Sequence, residues 1–173
     1  HTFFTRGQKD VTLAVSDGMV TSTERVFILV AGEQEVDTQT AVVDAAESLQ
    51  ISEIFPNPIG TDAAEFVEIY NPLNEEVSLA GIKIDDEEGG SRGYAFGDED
   101  VIAANSYKII EKKQSSIAYN NTSDSARLLF ADGSVITEVR YDDVKEGASF
   151  VFDATKQVWV WTIDITPGLP NSI

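Results

Sequence analysis

Glu65-Phe-Val-Glu-Ile-Tyr-Asn71 carries two carboxylates within four residues. Opposed carboxylates can hydrolyse a glycosidic bond when they flank it at the required separation. A strand sends alternate side chains to opposite faces, so Glu65 would go with Val67 and Ile69, and Glu68 with Phe66 and Tyr70. One strand cannot present both to one bond, and a catalytic pair is not expected. Glu65 is expected instead to accept backbone N–H bonds from the Asn57–Asp62 loop, which charge assistance would strengthen. His1 is the only histidine and there is no cysteine. A Ser-His-Asp triad needs a positioned base, and zinc sites need several His or Cys ligands, so neither is expected within this chain. No residue is assigned a catalytic role.

Two acidic loops remain, Asp85-Asp-Glu-Glu-Gly-Gly90 and Gly97-Asp-Glu-Asp100. Calcium takes six to eight oxygen ligands from flexible loops. Asp85, Asp86, Asp98 and Asp100 are therefore the candidate ligands for calcium, although neither loop matches an EF-hand or a repeat-type calcium site. A solvated acidic surface explains both loops equally simply. Trp159 and Trp161 sit two apart on one strand, and Phe66 and Tyr70 flank Glu68 on one face of another. Such aromatics either stack on a ligand, such as a sugar, or fill a core with their polar ends satisfied.

Elements that would position these residues are strands. The 173 residues suit about one domain, 42% are hydrophobic, and the net charge is −18. That field repels phosphate backbones and argues against nucleic acid. No apolar run reaches the roughly 18 residues of a membrane-spanning helix, and mean hydropathy is −0.11. The first residues lack the pattern of a secretion signal, so any signal or anchor is expected outside this sequence. From Leu49 onward, runs of strand type recur: 49–55, 65–70, 77–84, 106–111, 126–130, 134–140, 148–152 and 158–162. Turn chemistry separates them, including Pro56-Asn-Pro58, Gly89-Gly90, Asp132-Gly133 and Gly147. Leu128–Ile136 predicts a hairpin turning at Asp132-Gly133. Strand period places Ile51, Ile54, Val67, Ile69, Leu79, Ile82, Ile84, Ile109, Leu128, Val135, Val139 and Trp159 in the core.

The order of these pieces resembles the lamin tail domain over residues 49–173. The residues that carry it are Ile51-Ser-Glu-Ile-Phe-Pro-Asn-Pro58, Glu65–Asn71, Leu79-Ala-Gly-Ile-Lys-Ile-Asp-Asp86, Ala126–Gly133, Gly147-Ala-Ser-Phe150, Trp159-Val-Trp161 and Thr166-Pro-Gly-Leu-Pro-Asn171. Ile82 stands where the family usually has an aromatic. The resemblance implies an all-β fold, an immunoglobulin-like β-sandwich. Residues 1–32 resemble the C-terminal end of a polycystic-kidney-disease-type (PKD) domain, through His1-Thr-Phe3 and Gly7-Gln-Lys-Asp-Val-Thr-Leu-Ala-Val-Ser-Asp-Gly18. Lys9 departs from the aromatic of that pattern. This predicts an N-terminal β-hairpin, the remnant of a second Ig-like domain, followed by an acidic linker at 33–48 with at most one helical turn at Ala41–Ala46.

That order resembles surface-exposed bacterial proteins built from strings of β-modules. It implies a non-catalytic extracellular or cell-surface module that meets a protein or surface polymer. The alternative is a carbohydrate- or polymer-binding accessory module of a secreted enzyme, with Phe66, Tyr70, Trp159 and Trp161 as its ligand platform. A nuclear lamin-like tail is disfavoured by the acidity and by the absence of coiled-coil heptads. A two-stranded remnant also leaves open edges, from which either docking on the sandwich or, more readily, a homodimer through residues 1–32 is expected.

Overall fold

The computed structural model describes residues 7–16, 18, 19, 21–30 and 38–173. It divides into two compact units, 1–38 and 39–173. In the first, β1 (Gly7–Ser16) and β2 (Thr21–Val30) pair antiparallel from Gly7 opposite Val30 to Ser16 opposite Thr21. Gly18 adopts φ +92° in the turn, a conformation that glycine tolerates without strain. The expected hairpin is therefore present. His1-Thr-Phe3, Asp17 and residues 33–37 lie outside the described residues, as do the side chains of Val11, Leu13, Val15, Phe27 and Leu29.

A helix of ten residues stands where a linker with at most one helical turn is expected. α1 runs Thr38–Glu47. Ten residues make a marginal helix alone, and packing of its end decides the matter. Ala46 and Leu49 are both 2% exposed within the core.

The strands then follow as β3 (Gln50–Phe55), β4 (Phe66–Tyr70), β5 (Val77–Ser78), β6 (Ile82–Asp85), β7 (Tyr94–Ala95), β8 (Val101–Ile102) and β9 (Tyr107–Glu111). After the short helix α2 (Lys112–Ser115) come β10 (Asp124–Phe130), β11 (Val135–Tyr141), β12 (Ser149–Asp153) and β13 (Val158–Thr162). One sheet has the order β13-β12-β3-β4-β9, and a second the order β11-β10-β6-β7. A two-stranded ladder, β5-β8, sits beside them. All pairings are antiparallel. Ile54, Val67, Ile69 and Val151 from the first sheet, and Ile84, Ala126 and Leu128 from the second, are almost fully buried. The fold is an Ig-like β-sandwich.

Three of the expected core positions differ. Val135 begins β11 beside the Asp132-Gly133 turn and is 52% exposed. Trp159 is half-buried on β13, the outermost strand of its sheet. Ile109 pairs opposite Glu68, so it faces away from the sandwich interior. The run 77–84 is also broken into two strands of different ladders. Ile82 N–H bonds to the Leu79 carbonyl at 2.9 Å, and Gly81 takes φ +76° in the turn between them.

Candidate functional site

Most of the chemistry-bearing residues converge on the five-stranded sheet. β3 carries a bulge at Ser52: Ile51 pairs with Ile69 and Ile54 with Val67, so three steps on β3 match two on β4. Strict alternation would send Ile51 and Ile54 to opposite faces. With the bulge both are buried in the interior, 3% and 0% exposed. Glu53 meanwhile faces outward, directly opposite Glu68.

Glu53 and Glu68 are both fully buried, although their face lies outside the sandwich core. A closing segment covers them. Thr166 gives its N–H to Glu53 at 3.3 Å and its hydroxyl to Glu53 Oε2 at 3.1 Å. Gly168 N–H donates to Glu68 Oε2, and the Ser52 hydroxyl donates to Glu68 Oε1 at 2.7 Å. Asn171 Nδ2 donates to the Ser52 and Phe152 carbonyls at 3.0 and 3.2 Å. No cation pairs with either carboxylate among the described residues. Burial pushes the Glu68 carboxyl up; the donated bonds oppose this and the neighbouring Glu53 charge adds to it.

Glu65 leaves by the other face, as the strand period requires. Its partners differ from those expected. Lys112 Nζ donates to Oε1 at 2.7 Å and the Tyr119 N–H to Oε2 at 3.0 Å, so the carboxylate ties α2 and the following loop to the sandwich. The Asn57–Asp62 loop makes no side-chain bond to it; only the Glu65 N–H reaches that loop, at the Asp62 carbonyl. Burial raises the Glu65 carboxyl, with Lys112 opposing.

Asn71 ends β4 and is fully buried. Its amide donates to the Glu75, Ile102 and Ala103 carbonyls, and its oxygen accepts the Leu73 N–H. Sequence reasoning missed Glu53, Asn71, Lys112, Tyr119 and Asn171 as polar anchors. Glu53 had a signal, a charged residue inside the run Ile51-Ser-Glu-Ile-Phe55. The others owe their roles to partners far along the chain.

The acidic loops hold their carboxylates in local bonds. Asp86 is buried and takes the Ser91 N–H at 2.8 Å on both oxygens. Asp85 meets Arg127 at 3.5 Å. Asp100 accepts the Gly97 N–H and Lys108 Nζ, which hold its carboxyl below the usual range, led by Lys108. Asp98 is exposed. Among the described residues no three His, Cys, Asp or Glu side chains are gathered for a metal ion.

The aromatic candidates separate. Phe66 is buried against Phe55, with ring centroids 5.6 Å apart. Trp159 and Trp161 are half-buried and pack on Phe150 at 5.2 and 5.0 Å, with Trp161 Nε1 donating to the Asp142 carbonyl. Tyr70 stacks on Tyr107 at 4.7 Å. Those two tyrosines line an open cleft of about 970 Å³ with Gln50, Ser52, Gln157 and Asn171. The geometry thus offers an aromatic ledge beside amide groups, and buried carboxylates that bind the chain itself.

No curated protein matches the chain. The family model described as Lamin Tail Domain matches residues 43–143, from the end of α1 to just past β11. Beyond that stretch β12 and β13 complete the five-stranded sheet, and the closing segment covers its outer face. With more than half of its length matched and the sandwich assembled around it, the chain belongs to the lamin tail domain family.

Proposed function

We propose that this chain is a non-catalytic β-module of a larger multidomain protein, displayed outside the cell or on its surface, where it meets a protein or surface polymer. The observation that carries the reading is the state of the buried carboxylates: Glu53, Glu65 and Glu68 are at most 1% exposed and each accepts bonds from its own chain. A general acid or nucleophile must reach substrate, and none of these does. The PKD-like hairpin at 1–32 supports a string-of-modules setting, and a bacterial source is part of the proposal. Protease treatment of intact source cells tests the compartment. Digestion of this segment from outside is expected; protection until lysis would end the surface reading.

A polymer-binding role within that setting is favoured by the Tyr70–Tyr107 pair lining the cleft. Stacking rings beside amide groups suit a neutral glycan, whereas the net charge of −18 repels polyanions. Affinity electrophoresis in glycan-containing gels, comparing wild type with Tyr107→Ala, tests it. Retardation lost in the variant supports the role; equal mobility in every glycan ends it. The acidic loops are the place to look for calcium. A melting midpoint higher in calcium than in chelator would assign the ion there, because a ligand bound to the folded state raises stability.

A further inference from the structure

Residues 163–173 form no strand, yet their middle is held by the most buried polar groups of the sheet. Thr166-Pro-Gly-Leu169 is a tight turn closed by the Leu169 N–H on the Thr166 carbonyl at 3.0 Å. Proline in the second position and Gly168 at φ +78° in the third are the requirements of a type II turn. That turn is set largely by local chemistry, so little ordering is needed when it binds. Its N–H groups point at Glu53 and Glu68, and Asn171 reaches the backbone of β3 and β12. Its apolar side chains add little beyond the half-buried Ile165: Ile163, Leu169 and Ile173 are 81%, 62% and 58% exposed. The segment therefore sits on the sheet as a peptide ligand sits on a receptor, by a preformed turn and a few directed bonds.

We propose that this outer sheet face is a recognition site for a Thr-Pro-Gly-x-Pro-Asn turn, filled here by residues 166–171, and that a second copy of the chain can supply the turn instead. The occupant is specified by the bonding pattern. Glu53 and Glu68 are acceptors only and call for a donor pair at the spacing of Thr166 and Gly168. The neighbouring Ser52 and Phe152 carbonyls call for an amide like that of Asn171. A second copy carries the same donors in the same turn. The exposed Ile163-Asp164 link lies before the turn, where a change of direction breaks no strand pairing. Exchange of an identical element between protomers is a low-cost route to a dimer. The tether favours the chain's own segment, so the exchanged form grows with concentration. This goes beyond the surface reading and does not depend on the compartment.

The chain has no cysteine, so single labels can be placed cleanly. One population of residues 1–173 carries a donor dye at Ser172→Cys and another an acceptor at Thr155→Cys, both exposed positions lining the cleft. Exchange brings the two dyes together across the cleft, and the turn variants separate it from association through another surface. Energy transfer that rises with concentration is expected, falling several-fold when both populations carry Gly168→Pro, which removes the N–H to Glu68 and cannot adopt the turn. Thr166→Val, which removes the hydroxyl donor alone, should lower it less, and it decides the matter if Gly168→Pro fails to fold by circular dichroism. No transfer at any concentration would overturn the proposal. So would equal transfer in wild type and variants, which would place the contact on another surface.

Discussion

Asn71 holds three carbonyls and one N–H from inside the protein, and no other side chain of the motif has so many backbone partners. Removing it strands those groups without water. Asn71→Ala is expected to lower stability by about 2–4 kcal/mol, since each stranded buried group costs about 1–3 kcal/mol and some relax. Urea unfolding checks this, and a loss under about 1 kcal/mol would mean that water replaces the amide. Glu68 makes a prediction of opposite character. Burial raises its folded carboxyl above the ordinary 4.5, so the folded state holds that proton more tightly than the unfolded chain. Its contribution is fully present below 4.5 and lost as pH rises through the raised value. Glu65, also raised by burial, acts in the same direction. Stability of the wild type should therefore decline from mildly acidic towards neutral pH, and Glu68→Gln should flatten that slope. Unfolding measured across the window decides it: an unchanged slope in the variant would show that Glu68 titrates normally.

Gly147 precedes β12 at φ +73°, and a Cβ there would meet Ile59 Cγ1 at 2.8 Å. Gly147→Ala should cost about 1–3 kcal/mol, chiefly from left-handed strain, with a smaller part from displacing the largely exposed Ile59 side chain. Gly133, also left-handed but with open space around it, should accept Asn at smaller cost. Paired melting curves of the two variants test the contrast. Strand positions were readable because burial on one face writes a period of two into the sequence, and the Leu128–Ile136 hairpin turns at Asp132-Gly133 as its turn chemistry predicts. Three things were hidden. The bulge at Ser52 breaks the period locally, which concealed the outward Glu53. β7 and β8 are two residues each, too short to leave any period. α1 is held by Ala46 and the following Leu49, contacts that no local pattern announces. Of the candidate ligands, Tyr70 reaches the cleft, but its partner Tyr107 comes from β9, thirty-seven residues later in the chain.

At the scale of the molecule, the N-terminal unit is a sheet of two strands, β1 and β2, and such a ribbon is marginal alone. Its edges are templates for another chain. Light scattering on residues 1–173 and 39–173 at matched concentrations is expected to show stronger association of the longer form; equal association of the two would exclude pairing through the hairpin. Any dimer found in both forms would have to use the second unit. The closing turn has a further consequence, and it concerns time. Thr166, Gly168 and Asn171 bond to residues 100 to 119 positions earlier in the chain. During synthesis, β3 and β4 leave the ribosome long before the donors that cover Glu53 and Glu68 exist. Until then two facing carboxylates must stay hydrated, and the outer face of the sheet cannot dry. Closure of that sheet face thus waits for a segment made some hundred residues after the strands it covers, and a nascent chain halted before Thr166 carries the face open.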